Sequence, residues 1–374
     1  MPTTSNRALP LTRRGQIVVG VITAVALIGG LAAFAVAGGG EKSAAPTSST
    51  STAPASTTTA LVTTTTEPPA GPVAPLTGLR VADPTVPGRP VVAVKVDNLD
   101  APRESALPQS GLAQADVVYE EIVEGNITRL VGLFQSRIPG EVGPVRSART
   151  TDVHLLPQLG RVLLAWSGGN GGVVAAVHSS PALIDVGFDA ATPAYHRDRS
   201  RKAPHNLYVD PNVLLARAPA DLAPPPSLFA YRSPGQAQPS TSEPAAGVDL
   251  TWGGGLASSP VAWRWDGGSK LYVRSQNGRP QSDADGTRYS AANVVVMVTP
   301  YGASAADSRS PEALTVGSGE LFVYTQAGVI PGTWSRASED QPAVLTDTDG
   351  QPILLTPGQT WVELPRAGGV TTLR

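Results

Sequence analysis

The chain reads as an α+β protein, with a mixed α/β domain at residues 74–215 and a β-rich domain at 248–374, both behind one apolar segment and a Ser/Thr-rich stalk. Three observations predict this class. Residues 91–96, 117–123 and 129–135 follow the period of two that a strand imposes on side chains. Residues 161–178 run in the order apolar strand, glycine-rich turn, apolar helix. From 248 onward only short β-rich runs recur, separated by Asn277-Gly278, Asp285-Gly286 and Asp349-Gly350.

Residues 1–14 carry Arg7, Arg13 and Arg14 and read as a cytoplasmic N-terminus. Residues 15–40 contain no charge, and as a helix they would span ~39 Å against a bilayer core of ~30 Å. The reading is a single-pass signal anchor in the cell membrane with everything after it extracytoplasmic. A cleaved signal peptide is the alternative, because Ala35-Val36-Ala37 has the small-x-small form of a cleavage site, and the mature chain would then be secreted. The run exceeds an ordinary signal-peptide core of about 7–15 residues, which favours the anchor.

Residues 41–73 follow as a disordered stalk: 15 of the 32 residues from 41 to 72 are Ser or Thr, too polar to bury a core. There is no cysteine, so neither disulfides nor a lipid on cysteine is available. The formal net charge is −2; the first 40 residues contribute +3, leaving −5 on the rest. An acidic ectodomain has no electrostatic footprint for nucleic acid, and that class is excluded.

In the first domain, residues 117–123 and 129–135 make a hairpin around Glu124-Gly125-Asn126. Period two puts Val117, Tyr119 and Glu121 on one face and Val118, Glu120, Ile122 and Glu124 on the other. Neither face is purely apolar, so at least one carboxylate should enter a groove or meet a cation. The stretch GEVGPVRSARTTD then sets Arg146, Arg149 and Asp152 three apart; a helix starting near Ser147 would align all three on its first turns. The turn at 167–172 has the geometry that offers backbone N–H groups to an anion, although it lacks the Lys-Ser/Thr of a phosphate loop. His205-Asn206 in RKAPHNLY has acid/base chemistry available; a histidine simply hydrogen-bonded in a loop is the blander and more frequent case. His154, His178 and His196 lack ligand spacing, and neither metal nor cofactor is expected.

Residues 216–247, rich in Pro, Ala and Ser, read as an interdomain linker. Beyond it, runs at 261–265, 270–274, 293–299, 320–325 and 361–364 suggest a small sandwich or partly open barrel. Trp263, Trp265, Trp334 and Trp361 either line a sugar-binding face or fill its core, core being the commoner use.

The segments VVAVKVDNLDAPRESALPQSGLAQADVVYEEIVEGNITRLVGLFQS, GPVRSART and RKAPHNLY, followed by NVVVMV, GTWSR and GQPILLTPGQTWVEL, resemble in order the YerB-like family of bacterial exported proteins, domain of unknown function 3048. The resemblance spans residues 75–365 and implies a membrane-tethered extracytoplasmic protein of two domains with no established activity. Many relatives are lipoproteins; here a transmembrane helix would replace the lipid. Gln281 stands where relatives are expected to carry His. The family's marked positions fall on Asp97, Asn98, Glu121, Glu124, Gly125, Arg129, Arg146, Arg149, Asp152, His205 and Asn206.

Three functions suit that set. It is a groove binding an anionic cell-wall ligand or an envelope protein partner, the reading adopted; or the site of an envelope hydrolase or transferase using Glu121 or Glu124 with His205; or an internal lattice in which Arg129 and Arg146 neutralise Glu121 and Glu124.

Overall fold

The computed structural model describes residues 71–374 except 254–257; the expected cytoplasmic tail, the 15–40 anchor and most of the 41–73 stalk lie outside the described residues. Among the described residues no helix is long and apolar enough to cross a membrane. The described residues form one compact unit.

Its centre is a mixed sheet of eleven strands. The first half of the chain supplies β1 (Val92–Asp97), β2 (Val117–Ile122), β3 (Thr128–Phe134), β4 (Val162–Ala165) and β5 (Leu183–Asp185). Strand β6 (Glu243–Pro244) joins the same sheet, whereas β7 (Gly247–Leu250), β8 (Val261–Asp266) and β9 (Leu271–Gln276) belong to a second sheet of six strands. The chain then returns to the first sheet as β10 (Asn293–Met297), β11 (Gly317–Thr325), β12 (Gly328–Arg336), β13 (Val344–Asp347) and β14 (Thr360–Glu363), and β15 (Val370–Leu373) closes the second beside β7. The order across the large sheet is β6-β12-β11-β10-β14-β2-β3-β1-β4-β5, with β13 on β12.

The regions expected as two domains therefore share one sheet. Strand β14 lies parallel to β2 on one side and to β10 on the other, and closes the hydrogen-bonding edge that β2 would otherwise expose. The expected linker is likewise built in: Tyr231 Oη donates to the Leu76 carbonyl at 2.6 Å, Arg232 Nη2 donates to Thr325 Oγ1 at 3.2 Å, and β6 pairs with β12. The β-rich C-terminal half is thus divided between two sheets instead of forming its own sandwich.

One face of the large sheet packs on the second sheet through Val92, Val94, Val118, Trp263 and Trp361; the other is covered by α1 (Thr150–Leu155), α2 (Gly171–Ser179) and apolar side chains such as Leu76 and Trp334. Trp263, Trp334 and Trp361 are fully buried and Trp265 packs edge-on against Tyr272, so the tryptophans are core and form no sugar-binding face. With both faces covered, every residue of β1, β2 and β3 is buried, polar ones included. Those polar residues form the candidate site.

Candidate functional site

Register brings the first group together. Strands β1, β3 and β2 are antiparallel neighbours in which Asp97 and Glu121 both stand opposite Arg129. On the same face, two residues back along β1, is Lys95, fully buried and absent from the sequence-predicted set. Its Nζ donates to Glu121 and, at 2.8 Å, to Asp152 Oδ1. The counterion of Glu121 is therefore Lys95, not Arg129 or Arg146. A lysine within an alternating strand suggests a solvent face, and only the burial of that face by α1 turns it inward.

Helix α1 begins at Thr150, later than expected, with Arg149 at its N-cap. The preceding residues are extended because they pair with β1: Val145 bridges Val96, and Arg146 N–H donates to the Lys95 carbonyl at 2.9 Å. Arg146 and Arg149 thus precede the helix and do not share its face with Asp152. Asp152 instead accepts the Arg149 backbone N–H at 2.7 Å, closing the helix start. Arg149 grips Glu124, Nε donating at 2.9 and 3.1 Å to its two oxygens, and Ser310 Oγ donates to the same carboxylate. Burial raises the Glu124 pKa, but these bonds outweigh it and hold the carboxyl down at about 2.

The second group runs outward from Asp97. Its Oδ2 lies 2.8 Å from Arg146 Nε, a charge contact without a directed hydrogen bond, and 2.7 Å from His205 Nδ1. His205 Nε2 is 2.8 Å from Glu104 Oε1 at the surface. Burial works against the Asp97 carboxylate, yet His205 and the charges of Arg129 and Arg146 keep its pKa below the usual value; the Asp97 hydrogen bond raises that of His205. Because His205 is bound to Asp97 and Glu104, it forms no acid/base pair with Glu121 or Glu124. Asn206 accepts from Arg197 Nη1 at 2.9 Å and braces its own loop.

Arg129 differs from the rest. It is 4% exposed, among the described residues it makes no ion pair, and its one hydrogen bond runs from Nη1 to the Ser147 carbonyl at 3.2 Å. Its Nε is buried without an acceptor. Burial and the neighbouring charges of Arg149 and Arg146 push its pKa down to about 10, against the opposing pull of Asp97 and Glu124. Ser147, whose carbonyl Arg129 meets, lines a cleft of about 500 Å³ together with Arg149, Arg309 and the acids Glu124 and Asp307, while Arg129 and Arg146 lie outside that lining. The glycine-rich turn lies against this region: Ser167 N–H donates to the Arg146 carbonyl, and Asn170 caps α2 by accepting from Val173 N–H at 2.9 Å.

Asn98 belongs to a separate cluster on the other face of the sheet, centred on Glu120. Asn98 Nδ2 donates to Glu120 Oε1 at 3.0 Å, Thr128 Oγ1 donates to the same oxygen at 2.6 Å, and Arg274 of β9 donates to Oε2. Glu363 of β14 stands opposite Glu120 in register and accepts from Trp263 Nε1 at 2.8 Å. Burial and the Glu120 charge push the Glu363 carboxyl well above its ordinary range. Glu120, Arg274 and Glu363 escaped sequence reading; the mixed polarity of both β2 faces was the available signal.

These titrations give stability a definite pH dependence. Burial and the Asp152 charge, only partly offset by Lys95, raise the Glu121 pKa to about 7 from 4.5, so the native state holds extra protons in that window and stability falls as pH rises through it. His205, raised above 6.5, contributes stability that is also lost as pH rises through its folded pKa. Glu124 and Asp97, depressed below 4.5 and 3.8, lose their contributions as pH falls toward 2. Melting temperature is expected to peak near about pH 5. Glu121→Gln should flatten the decline toward pH 8; an unchanged decline in that variant would show that Glu121 does not carry it.

Two family models match the chain: "Protein of unknown function (DUF3048) N-terminal domain" over residues 76–223 and the corresponding C-terminal domain over 250–362. The chain is 29% identical over 297 residues to "Putative lipoprotein YerB" of Bacillus subtilis (strain 168), covering 78% of this chain and 85% of that one. It is also similar to the crystal structure of YerB protein from Bacillus subtilis, with a TM-score of 0.70 and 26% identity over 81% of this chain and 99% of that one.

Proposed function

The chain belongs to the DUF3048 family, and from that premise we propose that it is a membrane-anchored, extracytoplasmic binding module whose Arg129, Arg146 and Arg149 receive a carboxylate- or phosphate-bearing cell-wall ligand. Residues 15–40 would anchor it and 41–73 would hold the folded unit away from the membrane, a tether in place of the lipid that a chain without cysteine cannot carry. The observation that carries the binding reading is Arg129, a cation nine-tenths buried and bordered by two further arginines, which feels the charges of Asp97 and Glu124 but, among the described residues, makes no direct ion pair with either. A buried charge is tolerated when it is paired, and the three arginines here share two carboxylates, Asp97 and Glu124, so a further anion would complete the pairing. Lys95, Glu121, Asp152, Asp97 and Glu124 serve as the lattice that fixes the arginines.

The test is thermal melting of the full chain with inorganic phosphate, phosphate-rich wall polymer or muropeptides. A ligand at 100 times its Kd should stabilise the protein by about 2.7 kcal/mol. Arg146→Ala removes one cation from the buried Asp97 and should lower the basal melting temperature, and it should show no ligand-induced rise above its own baseline. The same rise in Arg146→Ala and Arg129→Lys would locate the ligand elsewhere and remove this reading.

A further inference from the structure

A cleft of about 940 Å³ opens where the hairpin of Asp100–Ala101 and Glu104–Ser105 faces the turn after β9. Its walls come from both matched regions of the family, a junction of the kind where ligand sites form. The three acids on these walls are already engaged. Asp100 is held by Arg279 at 2.6 Å and by Asn277 Nδ2 at 2.8 Å. Asp283 accepts from the Leu112 and Ala113 N–H groups and from Tyr289 Oη, and Glu104 meets His205.

Two groups on the walls keep unmet pairing capacity. Arg103, exposed at the hairpin tip, makes no ion pair or hydrogen bond among the described residues. Gln281, 4% exposed, donates from Nε2 to Gln276 Oε1 at 3.0 Å while its own Oε1 is buried without a donor. A free guanidinium calls for a carboxylate, and an orphaned amide oxygen calls for an N–H. We infer that this cleft is a second binding site, separate from the arginine cluster, for a short peptide with a free C-terminal carboxylate: the carboxylate pairs with Arg103 and a backbone N–H donates to Gln281 Oε1. Of the three acids only Asp100 is neutralised by a cation on these walls, so the preference for acid over amide measures whether Arg103 outweighs Glu104 and Asp283.

The probes are acetyl-Ala-Ala and its C-terminal amide, titrated into the full chain by calorimetry. The acid is expected to bind saturably and at least about tenfold more tightly than the amide. Arg103→Ala, a surface change with no expected effect on melting, should abolish that preference. Gln281→Met should weaken both peptides about equally, by roughly fivefold. Arg146→Ala should leave all of this unchanged, so failure of this site and failure of the arginine cluster are told apart. Absence of saturable binding by either peptide up to about 10 mM overturns the inference, as does binding indifferent to Arg103→Ala and Gln281→Met.

Discussion

Lys95→Met is expected to lower stability by about 3–5 kcal/mol at neutral pH, a large share of what holds a folded unit together. Among the described residues Lys95 is the single cation paired with both Glu121 and Asp152, and all three are inaccessible to water. Removing it leaves two carboxylates facing each other, and the loss of the attractive partner matters far more than the methylenes that methionine retains. Two further measurements identify the cause. The deficit should shrink as pH falls from 8 to 5, because the carboxylates can then take up protons in place of the lost cation. Adding Glu121→Gln to Lys95→Met should restore part of the loss, a coupling expected of residues in direct contact. A Lys95→Met protein within about 1 kcal/mol of wild type, or a deficit independent of pH, would mean that the lattice is not what stabilises this face.

How much of this was legible in the sequence follows from the range of each interaction. The hairpin of Val117–Ile122 and Thr128–Phe134 was readable because its alternation and its Glu124-Gly125-Asn126 turn are local. The turn into α2 was readable for the same reason, since Asn170 and the glycines act within one helical turn. Lys95 was not: Val92, Val94 and Val96 mark one apolar face, and nothing in VAVKVD reveals that Asp152, 57 residues on, fills the other. The candidate positions came from family resemblance, which identified residues without assigning partners, and the pairing inferred from composition set Arg129 against acids that Lys95 and Arg149 hold. The shared sheet was the largest omission. Strand β14 reads as an ordinary strand, and its insertion between β2 and β10 is a pairing across more than half of the chain that no local pattern encodes. Strand β12 was obscured by Pro331 and Gly332, residues that argue against a strand by propensity but are accommodated in the long pairing with β11.

The second large effect lies at that insertion. Arg274→Met is expected to destabilise the whole folded unit by about 3–5 kcal/mol, in one cooperative transition and not in one half alone. Arg274 belongs to β9, is fully buried, lies 5.0 Å from the Trp361 ring and donates to Glu120 of β2, joining the second sheet to the middle of the first. Without it Glu120 retains Asn98 and Thr128 as donors but has no positive charge, and Glu363 stands opposite it. The response of the two glutamates should be unequal. Glu120→Gln takes away the carboxylate to which Arg274 is bonded and should cost nearly as much as losing the arginine. Glu363 is already driven toward its neutral form, so a glutamine there replaces a protonated carboxyl with an amide of the same shape and should change stability by less than about 1 kcal/mol. Equilibrium denaturation of the three variants separates this account from a simple count of ion pairs. Equal losses at Glu120 and Glu363 would mean that both carboxyls are charged, and that a single arginine is not what locks the two sheets.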